Sequence, residues 1–180
     1  MTDKKQLRAE MRRAREAFVA AAPRALAVPA ALRAMFRADM IVAAYVPIGS
    51  EADPAPLVAA ARVAGCRVAL PHVVDRQTAL TFLPWDENAA LVDGPFRLRQ
   101  PAGDACPIAP ELVLTPLIAF DRALNRVGQG AGHYDRAFAQ YPHAKRIGVA
   151  WSVQEVARID ADPWDAPLDA IVTEQEWITR

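Results

Sequence analysis

Three alternating glycines within residues 128–132 form the part of this sequence best suited to chemistry. Residues without a Cβ adopt positive φ angles easily and let several backbone N–H groups approach one anion. A helix predicted from about Tyr134 would add the positive end of its dipole, where phosphates bind. Arg126 before the run could grip a phosphate, and Asp135 after it could hold the Mg²⁺ that accompanies a nucleotide. These residues together predict a phosphate-binding loop.

The glycine spacing itself matches no standard nucleotide motif. The alternation differs from Gly-x-Gly-x-x-Gly, which marks dinucleotide-binding folds, and the run lacks the Gly-Lys-Ser or Gly-Lys-Thr ending of a Walker P-loop. From the glycines alone, a tight loop with a purely conformational role is as good an interpretation as phosphate binding. The flanking Arg126 and Asp135 favour phosphate binding.

Hydrophobic periodicity predicts the elements that would position this loop. An amphipathic helix over Lys4–Ala20 would carry Lys4 and Arg8 on one face. A nearly unbroken apolar run, Asp39–Val46, indicates a strand covered on both faces. The other predicted helices span Pro23–Arg37, Asp53–Gly65 and Tyr134–Gln140. The other predicted strands span Cys66–Leu70, Ala79–Leu83, Arg146–Trp151, Ala170–Val172 and part of Glu111–Phe120. Residues 86–110 are predicted to be irregular.

Strand, helix and strand alternate along the chain, and this order is the building unit of a parallel sheet. We therefore expect an α/β fold: a single three-layer, Rossmann-like domain spanning residues 1–180, with a mostly parallel central sheet and an N-terminal helix over the site. The loop would then lie outside the carboxyl ends of the strands, where open α/β sheets bind ligands.

The composition excludes several other classes of protein. The 180 residues carry 21 basic and 21 acidic side chains, so no overall attraction to nucleic acid or to a membrane surface is expected. Cys66 and Cys106 belong to no closely spaced metal-binding pattern. The charged N-terminus does not read as a secretory signal, and no apolar run is long enough to span a bilayer, so we expect a cytoplasmic protein.

The segments around the loop resemble those of a known enzyme family. Two segments, Pro116–Asp121 and Arg126–Arg136, are similar to the signature of the 5-formyltetrahydrofolate cyclo-ligases, also called methenyltetrahydrofolate synthetases. Further matches occur in the family's order: Lys4–Arg8, Tyr45–Pro47 with Glu51, Ala150–Gln154 and Asp169–Glu174. Four positions depart from the family pattern: Gln100, Gln129, Ala131 and His133.

This resemblance implies roles residue by residue. It implies nucleotide binding by Lys4, Lys5, Gln6, Leu7 and Arg8, and by Arg126, Val127, Gly128, Gln129, Gly130, Ala131, Gly132, His133 and Tyr134. It implies substrate binding by Arg8, Val46, Glu51 and Trp151, catalysis by Arg126 and Tyr134, and Mg²⁺ ligation by Asp135 and Asp169. Without the resemblance, the basic helix face would be a solvated surface, Glu51 would suit an exposed loop equally well, and Asp169 would be a turn or capping residue.

The same resemblance implies an enzyme that uses ATP and Mg²⁺ to cyclise 5-formyltetrahydrofolate, with or without a polyglutamate tail, to 5,10-methenyltetrahydrofolate. The formyl oxygen would attack the γ-phosphate of ATP, and N10 would then close the ring as phosphate leaves. We expect a monomer with no nucleic acid or membrane partner.

Two alternatives to this enzyme stay open. One is a noncatalytic nucleotide- or folate-binding relative, because several loop positions depart from the family pattern. The other is a different enzyme on a related fold, such as a sugar-phosphate isomerase, which would need no ATP and would leave Lys4, Arg8 and the paired aspartates without a role.

Overall fold

The computed structural model describes residues 3–180 and places one seven-stranded sheet at the centre of that range. The α-helices are α1 (Lys4–Ala20), α2 (Ala30–Met35), α3 (Ala55–Val63) and α4 (His133–Gln140). The strands are β1 (Ile41–Ala43), β2 (Arg67–His72), β3 (Thr81–Pro84), β4 (Val92–Asp93), β5 (Arg99–Gln100), β6 (Leu112–Pro116), β7 (Ala119–Phe120), β8 (Arg126–Val127), β9 (Lys145–Val149), β10 (Ala170–Val172) and β11 (Trp177–Ile178). Two short antiparallel ribbons, β4–β5 and β7–β8, accompany the sheet.

Five strands of the sheet are parallel and lie in the order β10-β9-β6-β1-β2, while β11 and β3 are antiparallel at the two edges. The order of addition reverses at β1, because β2 lies on one side of it and β6, β9 and β10 follow on the other. Ligands of doubly wound sheets bind at such a switch point, outside the carboxyl ends of the strands. The predicted α/β fold with a mostly parallel sheet is confirmed.

Alternate residues of the central strands face two separate cores, which makes the fold three-layered. Val42 and Leu114 pack into the core covered by α1, α2 and α3. Ala43 and Val113 face the other side, where they share a core with Phe138 of α4. Strands buried on both faces carry continuous apolar residues, which explains the unbroken apolar runs in the sequence.

Helix α1 has the predicted bounds and is anchored by its N-cap and by two buried side chains. The Asp3 side chain accepts a hydrogen bond of 2.8 Å from the Lys5 N–H and caps the first turn. Leu7 is buried against Val127 of β8, so the helix packs on the ribbon that leads into the glycine-rich loop. The buried Arg15 donates a hydrogen bond to the Ser50 hydroxyl, which ties the helix to the turn after β1.

The predicted helix Pro23–Arg37 forms only over its last part, as α2, and Pro29 explains the difference. A proline ring clashes with the preceding residue when that residue is helical, so a helix does not run through Val28. Pro29 itself has extended backbone angles and serves as the N-cap of α2. The first seven residues of that prediction, 23–29, therefore have no regular secondary structure.

Other differences come from short elements that leave little periodic signal. Strand β1 begins after the predicted start because Asp39 has a φ of 63° in the turn before it, and it ends at Ala43 rather than at the predicted Val46. The segment 86–110, predicted as irregular, contains the β4–β5 ribbon, and β11 was not predicted. Within residues 3–180, no helix is both long and apolar enough to cross a membrane.

Candidate functional site

A cavity of about 870 Å³ opens at the switch point of the sheet. Tyr45 and Val46 follow β1, Pro71 and Val73 lie at the end of β2, and Pro116 ends β6, so the carboxyl ends of three strands form its floor. The predicted nucleotide loop, from Arg126 through Tyr134, lines this cavity together with Lys4, Arg8, Val46, Glu51 and Asp135. The structure therefore brings most of the predicted site residues to one place.

The glycine-rich loop joins β8 to α4 and presents its backbone to the cavity. Gly130 has a φ of 99° and Gly132 a φ of 69°, in the left-handed region that favours glycine. Across the described residues 3–180, the N–H groups of residues 129–135 donate no hydrogen bond to another protein group. A run of free N–H groups leading into a helix is suited to binding phosphate.

Asp121 braces the ribbon that carries the loop. Its side chain is buried, and its Oδ1 accepts hydrogen bonds of 3.0 Å from the N–H groups of Ala123 and Asn125. Its Oδ2 accepts another, of 2.9 Å, from the Ile159 N–H. A buried carboxylate with this many donors fixes the turn between β7 and β8, and hence the direction in which the loop leaves β8.

Arg126 ends up as a buried cation at the base of the loop, with only 7% of its surface exposed. Its NH2 donates a hydrogen bond of 2.7 Å to Asp135 Oδ1, and its guanidinium lies 5.1 Å from the centre of the Phe138 ring. Burial lowers the pKa of Arg126, while Asp135 and then Asp165 raise it. Among residues 3–180, Nε of Arg126 is buried without a hydrogen-bond partner, and the side chain lines the cavity.

Helix α1 turns only part of its basic N-terminal segment to the cavity. Arg8 lines the cavity and donates a hydrogen bond of 2.8 Å from Nε to the Gly128 carbonyl. Lys4 lines it as well, with Nζ 2.6 Å from Asp162 and 2.9 Å from Asp165. The predicted nucleotide-binding residues Lys5, Gln6 and Leu7 do not line it: Lys5 and Gln6 are exposed and Leu7 is buried. These positions follow from the helical period, which points successive residues in different directions.

Glu51 lines the cavity just after the turn that follows β1. Its Oε2 accepts a hydrogen bond of 3.0 Å from the Ile48 N–H, and its Oε1 accepts one of 3.0 Å from Gln129 Nε2. Burial raises the pKa of Glu51, and the two hydrogen bonds and the nearby Arg15 guanidinium oppose that shift. The carboxylate is thus held in a position to accept hydrogen bonds from donors that enter the cavity.

Tyr134 and His133 occupy the first turn of α4. Burial raises the pKa of Tyr134 well above its ordinary value, so the phenol is protonated at neutral pH and can serve as a hydrogen-bond donor to a ligand. Burial, and then the neighbouring Arg136, lower the pKa of His133. Its Nδ1 lies 3.1 Å from Arg136 NH2, so a neutral imidazole accepts a hydrogen bond from the guanidinium.

Trp151 and Asp169 lie outside the cavity, away from the other predicted site residues. Trp151 is buried, and its Nε1 donates a hydrogen bond of 3.1 Å to the Ser50 carbonyl, so it supports the turn before Glu51 by packing. Asp169 precedes the first residue of β10, and its Oδ2 accepts a hydrogen bond of 2.8 Å from the Arg146 N–H at the start of β9. Asp169 therefore lies at the amino edge of the sheet, opposite the cavity, and the structure does not bring it together with Asp135.

Asp162 and Asp165 are cavity residues that were not predicted from the sequence. Both approach Lys4, and Trp164 between them has 71% of its surface exposed at the cavity. One sequence signal could have predicted that Asp169 does not lie at the ligand-binding edge of the sheet. A residue directly before a parallel strand lies at the amino edge of the sheet, whereas the ligand edge is the carboxyl one.

Gly132→Ala tests whether the loop conformation matters for the nucleotide. A Cβ at this φ costs roughly 1–2 kcal/mol of folding free energy, and it would lie 3.0 Å from Arg136 NH1. We expect a lower melting temperature together with weaker binding of the nucleotide predicted from the sequence. Gly65→Ala is the matched control, since Gly65 has a φ of 81° at the end of α3 and lies outside the cavity. It should lower the melting temperature with no change in nucleotide binding; equal effects on binding would contradict the predicted role of the loop.

Comparisons with known proteins agree on one family. Residues 1–174 match the model described as the 5-formyltetrahydrofolate cyclo-ligase family. The 5-formyltetrahydrofolate cyclo-ligase of Escherichia coli K12 is 33% identical over 139 residues, covering 73% of this chain and 76% of the relative. The one from Mycolicibacterium smegmatis is 31% identical over 145 residues, covering 76% and 75%. The chain also superposes on the structure of a 5,10-methenyltetrahydrofolate synthetase from Mycoplasma pneumoniae, with a TM-score of 0.67 at 21% identity. The superposition covers 96% of this chain and 99% of that chain, and the similarity concerns the fold alone.

Proposed function

The chain belongs to the 5-formyltetrahydrofolate cyclo-ligase family and is an enzyme of the ligase class, and we propose from this premise that it uses ATP and Mg²⁺ to convert 5-formyltetrahydrofolate to 5,10-methenyltetrahydrofolate. One observation carries the proposal: a single cavity holds a loop of free N–H groups, a buried arginine at its base and a separate carboxylate, Glu51, beside it. The first two suit a triphosphate, and the carboxylate suits the N–H groups of a pterin.

The nucleotide phosphates would lie on the glycine-rich loop at the N-terminus of α4. The free N–H groups of residues 129–135 would donate to phosphate oxygens, and Arg126 and Arg8 would offset their negative charge. Lys4 is the third cation of this group, and its present partners are the carboxylates of Asp162 and Asp165. We propose that phosphate oxygens compete with those carboxylates for the Lys4 ammonium.

The residues that would hold Mg²⁺ are Asp135 and Asp165. Both line the cavity, Asp135 accepts a hydrogen bond of 2.7 Å from Arg126 NH2, and Asp165 raises the pKa of Arg126, so both carboxylates would lie near a phosphate bound beside Arg126. Within residues 3–180 no three His, Cys, Asp or Glu side chains form a complete metal site, which suits an ion that keeps several waters and takes phosphate oxygens as ligands. When bound, Mg²⁺ would neutralise charge on the β- and γ-phosphates.

The folate would occupy the part of the cavity beside β1. Glu51 would accept hydrogen bonds from the pterin N–H groups, and Val46 and Ile48 would pack on the ring. The buried Tyr45 donates its hydroxyl to the Ala52 carbonyl and so fixes the segment that carries Glu51. This placement would hold the formyl group between the pterin site and the phosphate loop.

The chemistry needs positioning and charge neutralisation rather than a protein nucleophile. The formyl oxygen attacks the γ-phosphorus and ADP leaves, so the poor leaving oxygen becomes part of a phosphate ester. N10 then attacks the formyl carbon, and the C–O bond breaks as phosphate and the N10 proton depart. Arg126, which lines the cavity, would stabilise charge on the transferred phosphoryl group, and the protonated Tyr134 would donate to the same region.

An absorbance assay tests the proposal directly. Purified protein, 5-formyltetrahydrofolate and Mg-ATP should give the near-ultraviolet absorbance of the methenyl product, and none should form without ATP. No ATP-dependent rise would refute the catalytic proposal. Binding of either ligand without turnover would instead support a noncatalytic folate- or nucleotide-binding protein, and turnover of a sugar phosphate without ATP would support an isomerase.

A further inference from the structure

Gln129 links the nucleotide loop to the carboxylate on the folate side of the cavity. Arg12 of α1 donates a hydrogen bond of 2.7 Å from NH2 to Gln129 Oε1. The other end of the amide, Nε2, donates one of 3.0 Å to Glu51 Oε1. The backbone of Gln129 lies between Gly128 and Gly130, so the side chain moves with the loop.

The two partners determine the orientation of the Gln129 amide. A guanidinium has only donors, and an ionised carboxylate has only acceptors. The amide oxygen therefore faces Arg12 and the amide nitrogen faces Glu51, and the reverse orientation would lose both hydrogen bonds. A methionine of similar length would keep the shape of the side chain and lose both partners.

We propose that Gln129 is a positioning residue that couples nucleotide binding at the glycine-rich loop to folate binding at Glu51. The inference rests on the proposed function, because it takes the two ligands from there. Arg8 already holds the Gly128 carbonyl, so a nucleotide bound to the loop and to Arg8 fixes the backbone that carries Gln129. The fixed amide then orients Glu51 toward the folate, and by linkage a bound folate strengthens nucleotide binding by the same factor.

The groups around Glu51 determine how the Gln129 amide changes the pKa of that carboxylate. Among the described residues 3–180, Arg15 of α1, Tyr45 and Tyr134 are the titratable groups that interact electrostatically with Glu51, and Arg12 contacts the Gln129 amide. Burial raises the pKa of Glu51, and the Gln129 hydrogen bond lowers it. Loss of the amide therefore raises the pKa of Glu51 further, so the carboxylate becomes protonated at a higher pH.

Gln129→Met is the test variant, measured by calorimetry of 5-formyltetrahydrofolate with and without Mg²⁺ and a non-hydrolysable ATP analogue. In the natural protein we expect the analogue to strengthen folate binding about five- to twentyfold, within the usual range for coupled sites. In Gln129→Met we expect that factor to fall close to one. Gln129 is exposed, so its replacement should leave the melting temperature unchanged.

A pH profile separates positioning from a general structural effect. The natural protein should lose kcat/KM for the folate as pH falls through the raised pKa of Glu51, and Gln129→Met should show this loss at a higher pH. Arg12→Met should weaken the coupling in the same direction and more mildly, because the amide keeps its hydrogen bond to Glu51. Gln140→Met at the exposed end of α4, outside the cavity, is the matched control and should change neither quantity.

The outcomes distinguish this inference from the proposed function. An unchanged coupling factor and pH profile in Gln129→Met, with an active natural protein, would overturn the role of Gln129 and leave the proposed function intact. If the natural protein bound both ligands without turnover, the calorimetric comparison would still decide the coupling. If it bound neither ligand, both proposals would fail together.

Discussion

Arg126→Met should lower kcat by about a thousandfold or more, the range for losing an arginine that stabilises charge during phosphoryl transfer. Arg126 is buried at the base of the phosphate loop, and its Nε has no hydrogen-bond partner among residues 3–180. Methionine keeps the apolar contact with the Phe138 ring and removes the charge. The KM for ATP should rise much less than kcat falls, because the backbone N–H groups of the loop remain in place.

Arg146→Met provides the matched control for this experiment. Arg146 also lies 5.1 Å from the centre of the Phe138 ring, and it does not line the cavity. Both variants lose a cation beside one aromatic ring, and only Arg126→Met loses a cation at the loop. Steady-state assays should show near-normal kcat for Arg146→Met; a similar fall in both variants would mean that packing around Phe138, rather than charge at the phosphate, limits the rate.

The second large effect is expected at Asp135 and Asp165, the carboxylates that we propose for Mg²⁺. Asp135→Asn and Asp165→Asn should each lower kcat by roughly a hundredfold and shift the Mg²⁺ concentration needed for half-maximal activity upward. Asp135→Asn should also lower stability by about 1–2 kcal/mol, because it leaves the buried Arg126 without its carboxylate and the pair is partly exposed. Activity titrated with MgCl₂, together with thermal unfolding, measures both effects.

Asp169→Asn distinguishes between the two possible pairs of Mg²⁺ ligands, Asp135 with Asp165 and Asp135 with Asp169. Asp169 lies at the amino edge of the sheet, and asparagine keeps an oxygen that can accept the Arg146 N–H. We expect an unchanged Mg²⁺ dependence in this variant. A shift in Mg²⁺ dependence for Asp169→Asn, with none for Asp165→Asn, would restore the pair predicted from the sequence and refute the one inferred from the cavity.

The long periodic elements and the glycine-rich loop could be predicted from the sequence because their signals are local. Helix α1 has the predicted bounds, since an apolar stripe and an N-terminal capping aspartate both act within one helix. The α/β fold followed from buried strands that are apolar on both faces. Short elements such as β11 and the β4–β5 ribbon contain too few residues to show a period.

The prediction of a phosphate-binding loop likewise came from local sequence. Glycines at 130 and 132 permit the left-handed backbone angles that the structure shows, and Arg126 and Asp135 flank them at a fixed spacing. The proposal of a phosphate site therefore depends on residues that are close in sequence.

The tertiary structure alone decided which distant residues join that loop. Asp165 and Asp169 are four positions apart, yet the direction of β10 and the segment before it places only Asp165 at the cavity. Trp151 supports the turn before Glu51 from within the core, and Gln129 reaches both Arg12 and Glu51 across more than seventy positions of sequence. Sheet topology and side-chain direction set these contacts, and neither leaves a local pattern along the chain.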